Sequence, residues 1–337
     1  MLNEIIEKVV MKNNLSIAEM TSIMDALMDG MLTPAQTGAL LVALRMKGET
    51  VEEVTGAALS MRRHATFIDT GASSVIDTCG TGGDKAHTFN ISTAVAFVAA
   101  GAGIVVAKHG NRSVSSKCGS ADVLAAAGFN LDVDPLQMEQ SIRENGIGFL
   151  FAPKMHPAMK NVVPIRRELK MRTIFNMLGP LTNPAGATGQ VLGVFSPVLT
   201  EMFAAVLKEL GTKRAIVVHG RDGLDEITCT DASRITELRD GEIKTYELFP
   251  EILIGQTFSP ESIRGDDAET NARIMREVLS GRNQDGARAV VLLNAAAAIV
   301  VGEKADTMQD GLKLATQSID SGAALEKLEK LIEASHQ

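Results

Sequence analysis

From residue 2 to residue 65 apolar side chains recur three and four positions apart. Leu2, Ile5, Ile6, Val9 and Val10 trace one face of a helix. Three more helices each open on Ser/Thr-x-x-Glu/Gln, the signature of an N-terminal capping box: Ser16 with Glu19, Thr33 with Gln36, and Thr50 with Glu53. Pro34 fits the first helical position, where its missing N–H costs nothing. No alternating run interrupts this stretch. Four helices, and a small all-helical domain over residues 1–70, are predicted.

Near residue 70 the period changes. Short β-like runs at 75–77, 103–107, 189–195, 214–219 and 289–293 alternate with helical stretches such as 92–100, 120–127, 197–210 and 323–335. Strands alternating with helices imply an α/β domain, a sheet covered by helices, over residues 71–337. Residues 155–185 hold five prolines or glycines and many basic residues. They read as a cross-over, and part of 155–190 is expected to join the helical domain.

The length of 337 residues suits one large domain plus a smaller one. A net charge of −8 argues against nucleic acid as the main partner, while leaving room for a local basic pocket. Cys79, Cys118 and Cys229 show neither metal-ligand spacing nor a disulfide framework, which points to a reducing, cytoplasmic setting. The N-terminus reads as an amphipathic helix rather than a signal peptide. The longest apolar run, 289–301, is too short to span a membrane.

Four segments carry chemistry. Gly80-Thr81-Gly82-Gly83-Asp84 follows a strand, and Asn90-Ile91-Ser92-Thr93 opens a helix. Exposed loop amides and the positive end of a helix suit a phosphate or pyrophosphate; a tight turn is the equal alternative. Residues 108–124 place Lys108, His109, Arg112 and Lys117 among Ser113, Ser115, Ser116 and Ser120, a setting for a small polyanion. Residues 219–229 gather Asp222, Asp225 and Glu226, hard oxygen ligands of the kind that hold Mg²⁺ with substrate phosphates. Alone, an acidic surface turn explains them better. Residues 164–187 carry Arg166, Arg167 and Arg172, which suit either a carboxylate or a solvated helix face.

Taken in order, GTGGD, NIST, KHGNRSVSS, CGSADVL, RRELKMRTIFNMLGPLTNP, DGLDE and NAAAA resemble the anthranilate phosphoribosyltransferase family. The resemblance implies transfer of the phosphoribosyl group of phosphoribosyl pyrophosphate (PRPP) to the amine of anthranilate, the second step from chorismate to tryptophan. It implies a central mixed sheet, a site in the cleft between the two domains, and a homodimer through the helical domain. Gly80, Gly83, Asp84, Thr88, Asn90, Ile91, Ser92, Thr93, Lys108, Ser116 and Ser120 would hold PRPP. Gly80, His109, Asn111 and Arg166 would hold anthranilate. Ser92, Asp225 and Glu226 would serve Mg²⁺, two ions with the pyrophosphate, and Lys108 would stabilise the leaving group. Residues 263–271 depart from the family pattern, with Arg264 and Asp266 where a more glycine-rich turn is expected. The nearest rival is a nucleoside phosphorylase of the same fold group; a second is a PRPP-binding regulator without turnover.

Overall fold

A computed structural model describes residues 2–84, 86–113 and 117–337. The N-terminal part consists of α1 (Leu2–Val10), α2 (Ile17–Met28), α3 (Pro34–Lys47) and α4 (Val51–Arg63). All three capping boxes form as spelled, with each N-cap hydroxyl accepting from the backbone N–H three residues on. Glu53 does more than cap. Its buried carboxylate accepts from Leu15 N, Thr50 N and Lys47 Nζ, tying two interhelical turns together. Gly56 lets α4 touch α2, because a Cβ there would lie 2.6 Å from the Ile17 carbonyl.

Seven strands form one sheet: β1 (Ile76–Gly80), β2 (Val106–Gly110), β3 (Ile147–Phe151), β4 (Gly189–Gly193), β5 (Arg214–Gly220), β6 (Ser233–Arg239) and β7 (Glu242–Leu248). Their order is β3-β2-β1-β4-β5-β6-β7. β1 to β5 run parallel, β6 pairs antiparallel with β5, and β7 pairs antiparallel with β6, so the sheet is mixed. Helix α5 (Ile91–Gly101) runs back from the glycine loop, buried on nearly every face, and packs on the helix Gly286–Val301.

One core fills the space between the sheet and these helices. A second joins the bundle to the rest of the chain. Met24, Leu41 and Val54 share it with Val162, Ile174, Phe175 and Leu178 of the cross-over, and with Phe203 and Leu207 of the helix Leu199–Glu209. Each such side chain contributes roughly 1.5–3 kcal/mol when fully buried. The bundle and the cross-over are therefore held by the same apolar packing.

The structure corrects the predicted elements in places. Residues 289–293 are not a strand; they lie inside the helix Gly286–Val301, whose start is capped by Asp285. That helix is enclosed almost all round, so its apolar residues show no stripe to give its period away. β2 begins at Val106, three residues later than predicted. β3, β6 and β7 have no counterpart among the predicted runs. The turn between β6 and β7 is Asp240-Gly241, both at positive φ (53° and 81°), the dipeptide and backbone of a tight hairpin. Among the described residues no helix is long and apolar enough to cross a membrane.

Candidate active site

In a parallel sheet the side-chain-bearing loops gather beyond the carboxyl ends of the strands, and a crevice opens where neighbouring connections diverge. Here that point lies between β1, whose neighbour on one side is β2, and β4, whose neighbour on the other is β5. The glycine loop leaves β1 at this position. Thr81 N donates to the Gly193 carbonyl at the end of β4 (2.9 Å), and Phe195 N donates to Thr81 Oγ1 (3.1 Å). Gly82 N donates to Asp225 Oδ2 at 2.8 Å. Gly82 and Gly83 both take positive φ, 65° and 79°, which favours glycine. A Cβ on Gly80 would meet Asp225 Oδ2 at 2.5 Å, and one on Gly193 would fall 1.5 Å from the Asp225 carbonyl. The acidic turn is thus wedged against the ends of β1 and β4, and glycine is the residue that fits.

The acidic turn splits in two. Asp222 is occupied away from the cradle, accepting from Leu224 N and from the Thr228 and Thr230 hydroxyls. This separates it from the three-carboxylate group that the sequence suggested. Asp225 and Glu226 remain. Asp225 is pushed up to about 7, first by loss of water and then by the neighbouring Asp84. Burial raises Glu226 well above the usual carboxylate range, and Asp225 adds to it. Asn294, fully buried in the helix Gly286–Val301, holds this turn by accepting from Ile227 N and donating to the Ile227 carbonyl.

Lys108 faces these carboxylates from β2. Its buried ammonium donates to the Thr78 carbonyl (2.5 Å) and to Ser92 Oγ (3.3 Å). Burial lowers its pKa, while Asp77 and Glu226 pull it back up. The Ser92 backbone N–H in turn supports Glu226. Lys108, Ser92, Glu226 and Asp225 therefore form one connected polar group at the N-terminus of α5.

The other cations of the 108–117 segment are placed differently from their sequence reading. Arg112 pairs with Asp122 (2.9 Å) and Lys117 with Asp266 (2.5 Å), so both charges are compensated within the chain. His109 is buried against His156, with Nε2 atoms 3.2 Å apart. Burial lowers the two imidazoles to about 3 and about 4. In the neutral pair one Nε2 donates and the other accepts. Asn111 is exposed, and its Oδ1 accepts from Arg112 N. Ser120 Oγ accepts from Asn111 N, closing the loop on itself. Ser115 and Ser116 lie outside the described residues.

Asn90 uses its side chain internally, donating to the Cys118 carbonyl and accepting from Asn271 Nδ2. Thr88 forms a bridge with Arg264, Gly265 N donates to the His87 carbonyl, and Phe89 N donates to the Ile263 carbonyl. Residues 263–266 thus brace the loop that leads to Asn90. A Cβ on Gly265 would lie 2.5 Å from Phe89 N, so glycine is the residue that fits at this close approach. Ile91 and Thr93 are buried in the first turn of α5.

Arg166 projects from the helix Val163–Leu169, half-buried, with its guanidinium 5.5 Å from the centroid of Phe175. It makes no ion pair among the described residues. Arg167 is exposed. On β1, beside β2, buried Asp77 accepts from His109 N (3.2 Å) and Asn183 Nδ2 (2.8 Å), and Asn183 also donates to the Ala107 carbonyl. Sequence reasoning missed Asp77, Asn183, Asn271 and Asn294 as supports of the site. Asp77 and Asn294 leave the trace of a polar residue set among apolar ones, whereas Asn183 and Asn271 stand beside other polar residues and leave none.

Glycine-loop amides, a buried ammonium and two hard carboxylates meet at the sheet's switch point, a combination whose chemistry suits a phosphorylated ligand with a divalent cation. Two family models match the chain, the glycosyl transferase family helical bundle domain over residues 3–65 and the glycosyl transferase family a/b domain over residues 72–325. The chain belongs to this family. Within it, the anthranilate phosphoribosyltransferases of Desulfosudis oleivorans and Acetivibrio thermocellus are 56% and 53% identical over 333 residues each, covering 99% of this chain and 98% and 96% of theirs. The structure of anthranilate phosphoribosyltransferase from Thermus thermophilus matches with a TM-score of 0.94 at 39% identity, covering 99% of both chains. The Saccharomyces cerevisiae enzyme, in complex with PRPP and Mg, matches with a TM-score of 0.90 at 27% identity, covering 99% of this chain and 98% of the other.

Proposed function

We infer that this chain transfers the phosphoribosyl group of PRPP to the amine of anthranilate and releases pyrophosphate. The observation that carries the reading is the glycine loop hydrogen-bonded to Asp225 at the switch point, with Lys108 buried across from it. In this reading the backbone of residues 80–84 and 90–93, with Thr88, Lys108 and Ser120, holds PRPP. Arg166, half-buried and without an ion pair among the described residues, takes the anthranilate carboxylate, with Gly80, His109 and Asn111 around the ring. The N–C bond forms at the anomeric carbon as the C–O bond to pyrophosphate breaks, and the amine then loses a proton. An aromatic amine is neutral at pH 7, so the chain's part is to orient it and to stabilise departing charge.

The cation fits the residues present. Asp84, Asp225 and Glu226 repel one another, which a divalent ion relieves. Among the described residues no three or more His, Cys, Asp or Glu could hold an ion unaided. Mg²⁺ is commonly held by one or two carboxylates together with substrate phosphates. Bound there, with Ser92 beside it, it supplies charge neutralisation to the pyrophosphate; two ions are our reading. The test is loss of anthranilate fluorescence, which the absence of tryptophan makes easy to follow. Decay that needs both Mg²⁺ and PRPP supports the reading. Phosphorolysis of a pyrimidine nucleoside in its place would turn it toward a phosphorylase.

Arg166→Ala is expected to raise the anthranilate KM roughly tenfold or more and leave the PRPP KM nearly unchanged, since a charged hydrogen bond contributes about 1.5–3 kcal/mol. Steady-state kinetics with each substrate varied in turn check this; equal rises in both KM values would remove the assignment.

The assembly we propose is a homodimer through the helical part. An apolar groove between α1 and α3, lined by Ile6, Val10, Ala35 and Ala39, leaves Val10 56% exposed. The same two helices in a second copy cover it. Sedimentation at twice the 35.8 kDa chain mass is expected, and Val10→Glu should halve it. Three buried free thiols fit a reducing cytoplasm.

A further inference from the structure

Arg172 sits six residues beyond Arg166, on the same cross-over. Lys170, at a φ of 50°, ends the helix Val163–Leu169 and turns the chain between them. The two guanidiniums therefore part company. That of Arg166 lies over Phe175. That of Arg172 stacks on Phe195, 4.1 Å from the ring centroid, and its Nη2 donates to the Gly83 carbonyl at 2.9 Å. Phe195 follows β4, and its own N–H donates to Thr81 Oγ1. A single planar group thus touches the glycine loop at Gly83 and the residue that anchors the same loop at Thr81. Arg172 makes no ion pair among the described residues.

We propose that Arg172 is a positioning residue that sets the shape of the glycine loop for PRPP, rather than a second partner for the anthranilate carboxylate. The proposal rests on the reading that this loop holds PRPP. A trans peptide points its carbonyl and its N–H in opposite directions. Holding the Gly83 carbonyl on Arg172 therefore turns the Asp84 N–H away from Arg172 and fixes where that donor can aim. Gly83 sits at a φ of 79°, and a Cβ there would lie 2.4 Å from Nη2, so the guanidinium fills the space a side chain would need. The stack on Phe195 confines the guanidinium to one plane, which a lysine cannot reproduce. The cross-over segment then serves both substrates, Arg166 the acceptor and Arg172 the donor's loop.

The test compares wild type with Arg172→Gln, Arg172→Lys and Phe195→Leu, by steady-state kinetics for each substrate and by thermal stabilisation with Mg²⁺ and PRPP. Arg172→Gln is expected to raise the PRPP KM roughly tenfold, with the anthranilate KM within about twofold, the reverse of Arg166→Ala. Arg172→Lys should recover part of the loss, because it can still donate to the carbonyl. Phe195→Leu should shift the same constant in the same direction by less. A rise in the anthranilate KM alone would place Arg172 in the acceptor site and overturn the proposal. A lower melting temperature with both KM values unchanged would overturn it as well. If PRPP fails to stabilise the wild type, the reading of the cradle itself is wrong. If it stabilises wild type and Arg172→Gln equally, only the role of Arg172 fails.

Discussion

Asp225→Asn and Glu226→Gln each lower turnover by roughly 10–100-fold at fixed Mg²⁺ and move the Mg²⁺ concentration for half-maximal rate upward by a similar factor. Both substitutions keep shape and remove charge. In Asp225→Asn the remaining oxygen can still accept from Gly82 N, so the glycine loop keeps its anchor. What is lost is one carboxylate from a cluster in which water loss and Asp84 already raise Asp225 to about 7. For Asp225, whose charged neighbour is Asp84, taking away a repelled charge does not weaken the metal-free fold. The melting temperature of Asp225→Asn without Mg²⁺ is therefore expected to stay level or rise while the Mg²⁺ response falls, a split that a simple folding defect would not produce. Mg²⁺ titration curves that coincide with wild type would refute the assignment.

Lys108→Met carries the second large effect, and it is twofold. The buried ammonium, held at Thr78 and Ser92, is the group proposed to stabilise the leaving pyrophosphate, and losing one preorganised donor of this kind costs about 10²–10³-fold in kcat. It is also the buried counter-charge of Asp77 and Glu226. Removing one partner from such a buried group destabilises by about 3–5 kcal/mol. Adding Asp77→Asn separates the two. The amide relieves the orphaned charge, so the double variant should regain melting temperature without regaining kcat. Recovery of both together would mean that Lys108 acts only on stability.

The parts of this fold visible in the sequence are those written in local chemistry. Three capping boxes give α2, α3 and α4 their starts, because a cap is made by residues three apart. The glycine loop and the acidic turn can be read as candidates, since their residue types are rare in that combination. Where long-range contacts decide, sequence is silent. Arg112 and Lys117 read as ligand-binding cations, and only the fold brings Asp122 and Asp266 beside them. Asp222 cannot be told from Asp225 before the Thr228 and Thr230 hydroxyls are placed. The helix Gly286–Val301 loses its period because neighbours surround it. The hairpin of β6 and β7 is a different case: its Asp-Gly turn is there to be read, but its flanks carry apolar residues three apart and give no strand period.

That hairpin turn lies at the far side of the molecule from the cradle. Arg214, at the start of β5, pairs with Arg239 just before the turn, whereas Gly220, at the carboxyl end of β5 where the acidic turn begins, pairs with Ser233. The Asp240-Gly241 turn therefore juts from the amino-terminal edge of the parallel strands. For protein engineering this is a handle: a tag, a cross-linking site or a lone tryptophan reporter grafted there would sit on an already permissive backbone, in a chain with no other tryptophan signal to obscure it.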